Sequence, residues 1–502
     1  MSNTLVIRAD ASTEIGIGHV MRCLALAKAW QNRGGYPIFV TSAGSGLIEA
    51  RLKSEEMEVM YLSDRPGSID DASRTADIAH ERNASWILTD GYDFSGGYQQ
   101  IIKETGMSLL FIDDNGHADH YYADIVLNQN IHAHEQLYVK RESYTSLLLG
   151  TRFALLRREF LKWKGWKREI RELANKVLVT LGGGDPANAT FKVIQALKQT
   201  NIDGMEVAIV VGPANPHVRT IERELVTAPF AFRLFQSVED MAELMAWADI
   251  ALAGAGSTSW ELAFMGLPTL TLVLAENQVA IAVRLNLASV VVNLGWHEKL
   301  SSGEIAQVIR QSLLSVEERL ELAQRARALV DGEGIHRVLM NLSGEKVRLR
   351  RVSQEDAELL WEWANDHEVR LSAFSSEPIL WDSHIQWFMR KLRESNSFFF
   401  IGLDEKDIPV GQVRFDTEES KAEIHVSIDR NKRGLGYGYA LINMGVRKIF
   451  HSTPVRAVHA FIKPNNEWSV NAFEKAEFVR LGIKTVKGNR AFHFVREKKN
   501  GK

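Results

Sequence analysis

Two parallel α/β halves in tandem, followed by a separate α+β domain, are the architecture this sequence predicts, and three observations carry the prediction. A chain of 502 residues is too long for one ordinary core. Up to about residue 330, short apolar runs alternate with helical patterns, the rhythm of parallel sheets with helical crossovers. After Lys346 the apolar runs follow one another across short turns instead, as in an antiparallel meander. The domains are therefore set at 1–160, 161–343 and 346–498.

In the first half the strands are read at Leu5–Ile7, Pro37–Val40, Trp86–Asp90, Leu109–Asp113 and Asp124–Asn128. Asp10, Asp90, Asp113, Asp114 and Asn128 stand at or just after strand ends, where open α/β sheets bind ligands, although an isolated Asp or Asn there also serves as a cap or turn former. The segment G-I-G-H-V at Gly16–Val20 puts His19 where a glycine-rich turn opens a helix. Gly16 and Gly18 let the backbone approach a ligand, and the helix-start dipole disfavours a charged imidazole, so His19 suits a neutral base; taken alone it reads more readily as a residue that merely begins a helix.

The stretch Arg157–Lys176 is polar and basic and reads as a connection with helical character. Beyond it, strands are expected at Val177–Thr180, Val207–Val211, Ile250–Ala253, Thr269–Leu274 and Val290–Asn293, and a last helix at Val316–Val330. Two glycine clusters follow strands here, Gly182-Gly183-Gly184-Asp185 and Gly254-Ala-Gly256-Ser257-Thr258. Their flexible backbone, hydroxyls and helix-start N–H groups suit a phosphate. Glu261, one turn into the second helix, can accept from a ribose diol, or can close a capping box with Thr258. Neither cluster has the lysine of a Walker loop or the full dinucleotide spacing, which disfavours ATP hydrolysis and NAD chemistry.

In the last domain a strand at Val347–Val352 and a helix at Glu355–Asn365 precede three closely spaced strands, Phe398–Leu403, Gly411–Phe415 and Ala422–Ile428. Arg433-Gly434-Leu-Gly436-Tyr-Gly438 then opens an apolar helix over Tyr439–Phe450, and a strand at Arg456–Lys463 leads to Asn465-Asn466 and a short helix. Glu423 and His425, two apart on one strand, share a face and are candidate bases for an amine.

Bulk numbers narrow the function class. The net charge of −3 gives no electrostatic reason to expect nucleic acid. The single cysteine, Cys23, lies in an apolar helical pattern, excludes an intrachain disulfide and a multi-Cys metal site, and reads as buried rather than nucleophilic. Apolar runs are too short to span a membrane and the start lacks a signal-peptide layout, so a cytoplasmic protein is expected.

Several motifs taken in order resemble a known family: R-A-D-A-S with G-I-G-H-V-M-R-C-L (Arg8–Leu24), T-D-G-Y (Thr89–Tyr92), I-D-D (Ile112–Asp114), L-L-R-R-E-F (Leu155–Phe160), L-G-G-G-D-P (Leu181–Pro186), G-A-G-S-T-S-W-E (Gly254–Glu261) and A-E-N-Q (Ala275–Gln278). Over about residues 3–340 the chain resembles the UDP-sugar hydrolase of pseudaminic acid biosynthesis. The resemblance implies a GT-B fold of two Rossmann-like domains facing a cleft. It also implies metal-independent, inverting hydrolysis of UDP-2,4-diacetamido-2,4,6-trideoxy-β-L-altropyranose. By that resemblance His19 is the general base and Asn277 positions water or sugar. The sugar lies near Gly16, Gly18 and Tyr92, and the UDP lies against Gly183, Gly254, Gly256, Ser257, Thr258, Glu261 and Gln278. Asp113 and Asp114 are not assigned as an acid/base pair, because UDP is a weakly basic leaving group that needs charge stabilisation more than a proton.

The R-x-x-G-x-G pattern at Arg433–Gly438 and the order of elements around it resemble the GNAT acetyltransferases over about residues 346–498. That resemblance implies acetyl-CoA as co-substrate, held by Arg433, Gly434, Gly436, Gly438 and Asn466. The chain departs from the family pattern at Phe473, where a thiolate-protonating tyrosine is common, and at Glu477, where glycine is usual; the general acid stays unassigned. Together the resemblances imply two consecutive steps on a UDP-activated amino sugar, with no metal, nucleic acid or membrane involved.

Overall fold

The computed structural model describes residues 3–11, 17–42, 46–212, 215–236, 238, 240–404 and 406–498. They form two compact units, Met1–Val338 and Leu339–Lys502, and the dividing line falls within a helix, Gly334–Ser343.

The first unit holds two parallel sheets. The first contains β1 (Thr4–Ala9), β2 (Tyr36–Ser42), β3 (Glu58–Leu62), β4 (Ala84–Asp90), β5 (Leu109–Ile112), β6 (Ile125–Asn128) and β7 (Ser146–Leu149), in the order β3-β2-β1-β4-β5-β6-β7. The second contains β8 (Lys176–Thr180), β9 (Glu206–Val210), β10 (Ala231–Phe235), β11 (Ile250–Gly254), β12 (Thr269–Val273) and β13 (Val292–Trp296), in the order β10-β9-β8-β11-β12-β13. Central strands such as β1 and β5 are buried on both faces, as crossover helices require. The sequence reading misses β3, β7 and β10. All three are edge strands with partly exposed residues, so none has the continuous buried run that marks a strand from the middle of a parallel sheet.

Each sheet has one topological switch point, between β1 and β4 and between β8 and β11, where successive connections leave in opposite directions. A crevice opens beyond the strand ends at such a point. Ala9 pairs with Asp90 at the first, and Thr180 with Ala253 at the second. Segments far apart in sequence are thereby delivered to the same rims.

The connection Arg157–Lys176 departs from its expected helical character: only Arg158–Leu161 is helical before β8 begins. Tertiary packing overrides local preference here. Trp163 and Trp166 pack edge to face against each other and onto the core under β11. Arg168 donates to the carbonyls of Met245 (2.5 Å), Ala248 (2.5 Å) and Met265 (3.2 Å). Burial, only partly offset by Asp249, lowers the Arg168 guanidinium to about 10. Arg168→Leu strands these carbonyls and is expected to cost about 3 kcal/mol, read as an earlier urea transition.

The second unit is one seven-stranded sheet. It contains β14 (Arg348–Arg351), β15 (Ser397–Leu403), β16 (Pro409–Glu418), β17 (Lys421–Ile428), β18 (Ala457–Ile462), β19 (Val479–Val486) and β20 (Asn489–Glu497), in the order β14-β15-β16-β17-β18-β20-β19. All neighbours are antiparallel except β17 and β18. These two run parallel and pair only over Lys421–Glu423 with Ala457–His459, after which they part. Helix Tyr437–Ser452 lies against one face, its Leu441 so close to β15 that a Cβ at Gly402 would come within 2.2 Å of it. Helices Ala357–Asn365 and Trp381–Arg393 cover the other face over Phe399, Ile401 and Leu403.

Candidate active sites

His19 is the second residue of helix Gly18–Asn32 and is 7 % exposed. Its Nδ1 donates to Asp90 Oδ1 at 2.6 Å. A carboxylate can only accept, so Nδ1 carries a proton, and in the neutral ring the lone pair then stands on Nε2, the tautomer a base requires. Arg22, one helical turn on, donates to both oxygens of Asp90 at 2.6 Å. Burial pushes the Asp90 carboxyl up, but Arg22 and His19 outweigh it and hold the group well below the usual carboxylate range. Cys23 is buried and donates weakly to Asp90 Oδ2 at 3.4 Å; burial and that carboxylate push its thiol up, so it stays protonated.

Tyr92 sets its ring edge-on to His19, 5.0 Å between centroids, and its hydroxyl accepts from Asn277 Nδ2 of the second half at 3.4 Å. Gly16 lies outside the described residues. Gly18 faces the second half directly, since a Cβ on it would stand 3.4 Å from Ser257 Oγ. Thus His19, Tyr92, Asn277 and Ser257 meet across one cleft. Asp113 does different work: it accepts from the N–H groups of Asn115 and Gly116 and from Tyr121 Oη, tying down its own loop.

On the facing half, Gly254 ends β11, and a Cβ placed on Gly256 would meet open space. The capping-box reading of Thr258 and Glu261 is corrected. The helix begins at Thr258 itself, Ser257 sits at the cap position, and no side chain caps the helix. Glu261 is turned instead to Arg157, which donates to both its oxygens at 2.6 and 2.9 Å. The helix start therefore has no side-chain cap; Ser259 N and Trp260 N turn back to Gly256 O (3.0 Å) and Ser257 O (3.2 Å). Gly183 lies in the loop after β8, on the other rim of the same crevice, and a Cβ on it would likewise meet nothing within 4 Å. Gln278 Oε1 accepts from Leu274 N at 3.0 Å and so holds the turn that carries Asn277.

In the second unit Gly434 and Gly436 both adopt left-handed backbone, φ +76° and +85°, which explains glycine at these places. Gly436 caps helix Tyr437–Ser452 without a side chain, Gly438 lies in its first turn, and the Lys346 ammonium donates to Leu435 O at 3.2 Å beside the loop. Arg433 is engaged by Asp366 (2.5 Å) and Glu368 (2.7 Å), and Asn466 caps helix Glu467–Lys475 through Ser469 N. On β17, His425 Nε2 lies 3.4 Å from Glu423 and 3.5 Å from Asp416. Burial pushes the Asp416 carboxyl up, while His425, Arg414 and Lys391 together hold it far below its ordinary value. Phe473 is buried against Phe478, and Glu477 takes φ +60°, the left-handed backbone for which glycine is the easier residue.

The comparisons with known proteins follow this division. Residues 177–337 match the glycosyltransferase family 28 C-terminal domain, and residues 346–479 match the acetyltransferase (GNAT) domain. The chain joins a unit of two parallel Rossmann-like sheets to a C-terminal GNAT domain. An uncharacterized protein of Methanocaldococcus jannaschii is 23 % identical over 98 % of this chain and 99 % of its own length. The spore coat polysaccharide biosynthesis protein SpsG of Bacillus subtilis is 27 % identical over 66 % of this chain and 95 % of its own length. The UDP-2,4-diacetamido-2,4,6-trideoxy-beta-L-altropyranose hydrolase of Campylobacter jejuni is 26 % identical over 48 % of this chain and 81 % of its own.

In the first unit, sequence reasoning places Asp90 and Asp114 on the crevice rim but misses their partners. Arg22 shares a helix face with His19, a three-residue spacing that signals contact. The Arg157–Glu261 pair spans 104 positions and leaves no local signal. In the GNAT unit the missed residues are Lys346 and Asp416. Among the described residues no group of three or more His, Cys, Asp or Glu is placed to hold a metal ion, and no helix is long and apolar enough to cross a membrane.

Proposed function

We propose that the chain performs two consecutive steps on one UDP-activated amino sugar. The GNAT unit moves the acetyl group of acetyl-CoA onto the 4-amino group of UDP-4-amino-4,6-dideoxy-N-acetyl-β-L-altrosamine. The GT-B unit then hydrolyses the resulting UDP-2,4-diacetamido-2,4,6-trideoxy-β-L-altropyranose with inversion, giving free sugar and UDP. The observation that carries the reading is the His19–Asp90 pair set across a cleft from the Gly254–Thr258 loop and its uncapped helix start. The name of the Campylobacter jejuni relative supports the sugar.

In the hydrolytic step His19 Nε2 takes a proton from water as the oxygen bonds to the anomeric carbon. The bond to UDP breaks, and its electron pair leaves with the diphosphate against the Gly254–Thr258 loop. Asn277 and Tyr92 position sugar or water, and Glu261, fixed by Arg157, meets the ribose. Acetyl-CoA lies along the Arg433–Gly438 loop, where Gly434, Gly436, Gly438 and Asn466 shape its site. The amine is deprotonated by the Glu423–His425 pair with Asp416 behind it.

Supplying the 4-amino UDP-sugar with acetyl-CoA should release CoA first and UDP afterwards, with free diacetamido sugar seen by mass analysis. Absence of CoA release, or CoA release without later UDP release, would refute the two-step reading. UDP release that depends on an added acceptor would point to glycosyl transfer instead. Asp90→Asn leaves the side chain in place but frees the other tautomer of His19, and should lower kcat for UDP release about 10³-fold with little change in KM.

A further inference from the structure

His19, Arg22, Asp90 and Asp114 form one connected cluster. Arg22 lies between the carboxylates, donating to Asp114 Oδ1 at 2.8 Å and Oδ2 at 3.0 Å as well as to Asp90. Its Nη2 also stands 3.2 Å from His19 Nδ1. Asp90 is fully buried and the Arg22 and Asp114 side chains are 7 % and 15 % exposed. Asn130 Nδ2 donates to Asp114 Oδ1 at 2.7 Å and fixes that carboxylate.

With His19 neutral, the cluster has two carboxylates and one guanidinium, a net charge of −1. A permanent cation 3.2 Å from the imidazole opposes its protonation, and Asp90 alone is already shared with that cation. The second carboxylate tips the balance. We propose that Asp114, acting through Arg22, is a positioning residue that makes His19 ready to take a proton from water, so that the cluster passes from −1 to neutral as the water is split.

Of the other groups described around His19, His117 is the one that can carry a positive charge: against burial, Asp113 and Asp114 pull its imidazole up, and Asp113 balances it. From its own helix Cys23 is a protonated thiol. From the loop after β4, Tyr92 is a neutral phenol, pushed up by burial and by Asp114. Beyond it, His117 is bonded to Asp113, 3.1 Å from Oδ1, and closes a pair of its own. From the facing half Asn277 is uncharged.

The inference rests on His19 as the hydrolytic base, and its test is read first without substrate. In the full chain, labelled with ¹³C at histidine Cε1, the His19 signal is identified by its loss in His19→Gln. In Asp114→Asn its titration midpoint should fall by about one pH unit, the effect of removing one charge several ångströms away. The acid limb of kcat/KM for UDP release should move down with it, and the plateau should drop because the base is weaker. Arg22→Gln should move the midpoint up, and Asp114→Glu should restore the natural value. An unmoved midpoint in a cooperatively melting Asp114→Asn overturns the proposal, and so does a lowered melting temperature without a shift. If Asp114→Asn does not fold, the direction of the Arg22→Gln shift decides. A chain that releases no UDP defeats the hydrolase reading while the titration still judges this one.

Discussion

His19→Gln is expected to reduce UDP release by about 10³-fold and to leave CoA release from acetyl-CoA unchanged. Glutamine keeps a polar group within reach of Asp90, so the buried carboxylate retains a donor and the helix Gly18–Asn32 keeps its place. What is lost is an sp² nitrogen able to take a proton near neutral pH, for which the amide is no substitute. The residual rate reports what positioning and the Gly254–Thr258 loop contribute without a base. Measuring both products in one reaction mixture separates this from unfolding. Retained hydrolysis would remove His19 from the mechanism.

Gly436→Val should do the reverse, abolishing acetyl transfer while UDP is still released from sugar that is already acetylated. At φ +85° a β-branched residue is strained, and its side chain would project where a Cβ already comes within 3.5 Å of the Lys346 ammonium. The loop would shift, and with it the helix-start N–H groups that the proposed reading sets against the pyrophosphate. The expected readout is a loss of acetyl-CoA turnover of about 100-fold or more, most of it in the KM for acetyl-CoA. Equal loss of both activities would mean that the chain had misfolded.

The central strands are legible in the sequence because a strand buried on both faces must be apolar along its length, as Leu5–Ile7 and Leu109–Ile112 are. Edge strands such as β10, with Ala231, Phe232 and Arg233 exposed, carry no such mark. The glycine loops are legible too, since Gly434 and Gly436 answer a local backbone demand. Pairings are not. Asp90 lies 71 positions from His19, and only the strand order that sets β4 beside β1 brings them together. Thr258 and Glu261 have the spacing of a capping box, yet Arg157 outcompetes the backbone for the carboxylate. Local rules identify the participants, and topology chooses their partners.

The two sheets of the first unit share one strand order over six strands, so each has its crevice between its first and fourth strands. They furnish it differently. In the first half His19, the base of the proposed reading, comes from the helix after the first strand and is bonded to Asp90 at the end of the fourth. In the second half the Gly254–Thr258 loop, proposed to meet the nucleotide, leaves the fourth strand. The halves are one topology used twice with its equipment exchanged, and neither contains both the proposed proton acceptor and the proposed seat of the leaving group. On the proposed reading bond cleavage therefore belongs to the pair, because His19 and the Gly254–Thr258 loop come from different sheets.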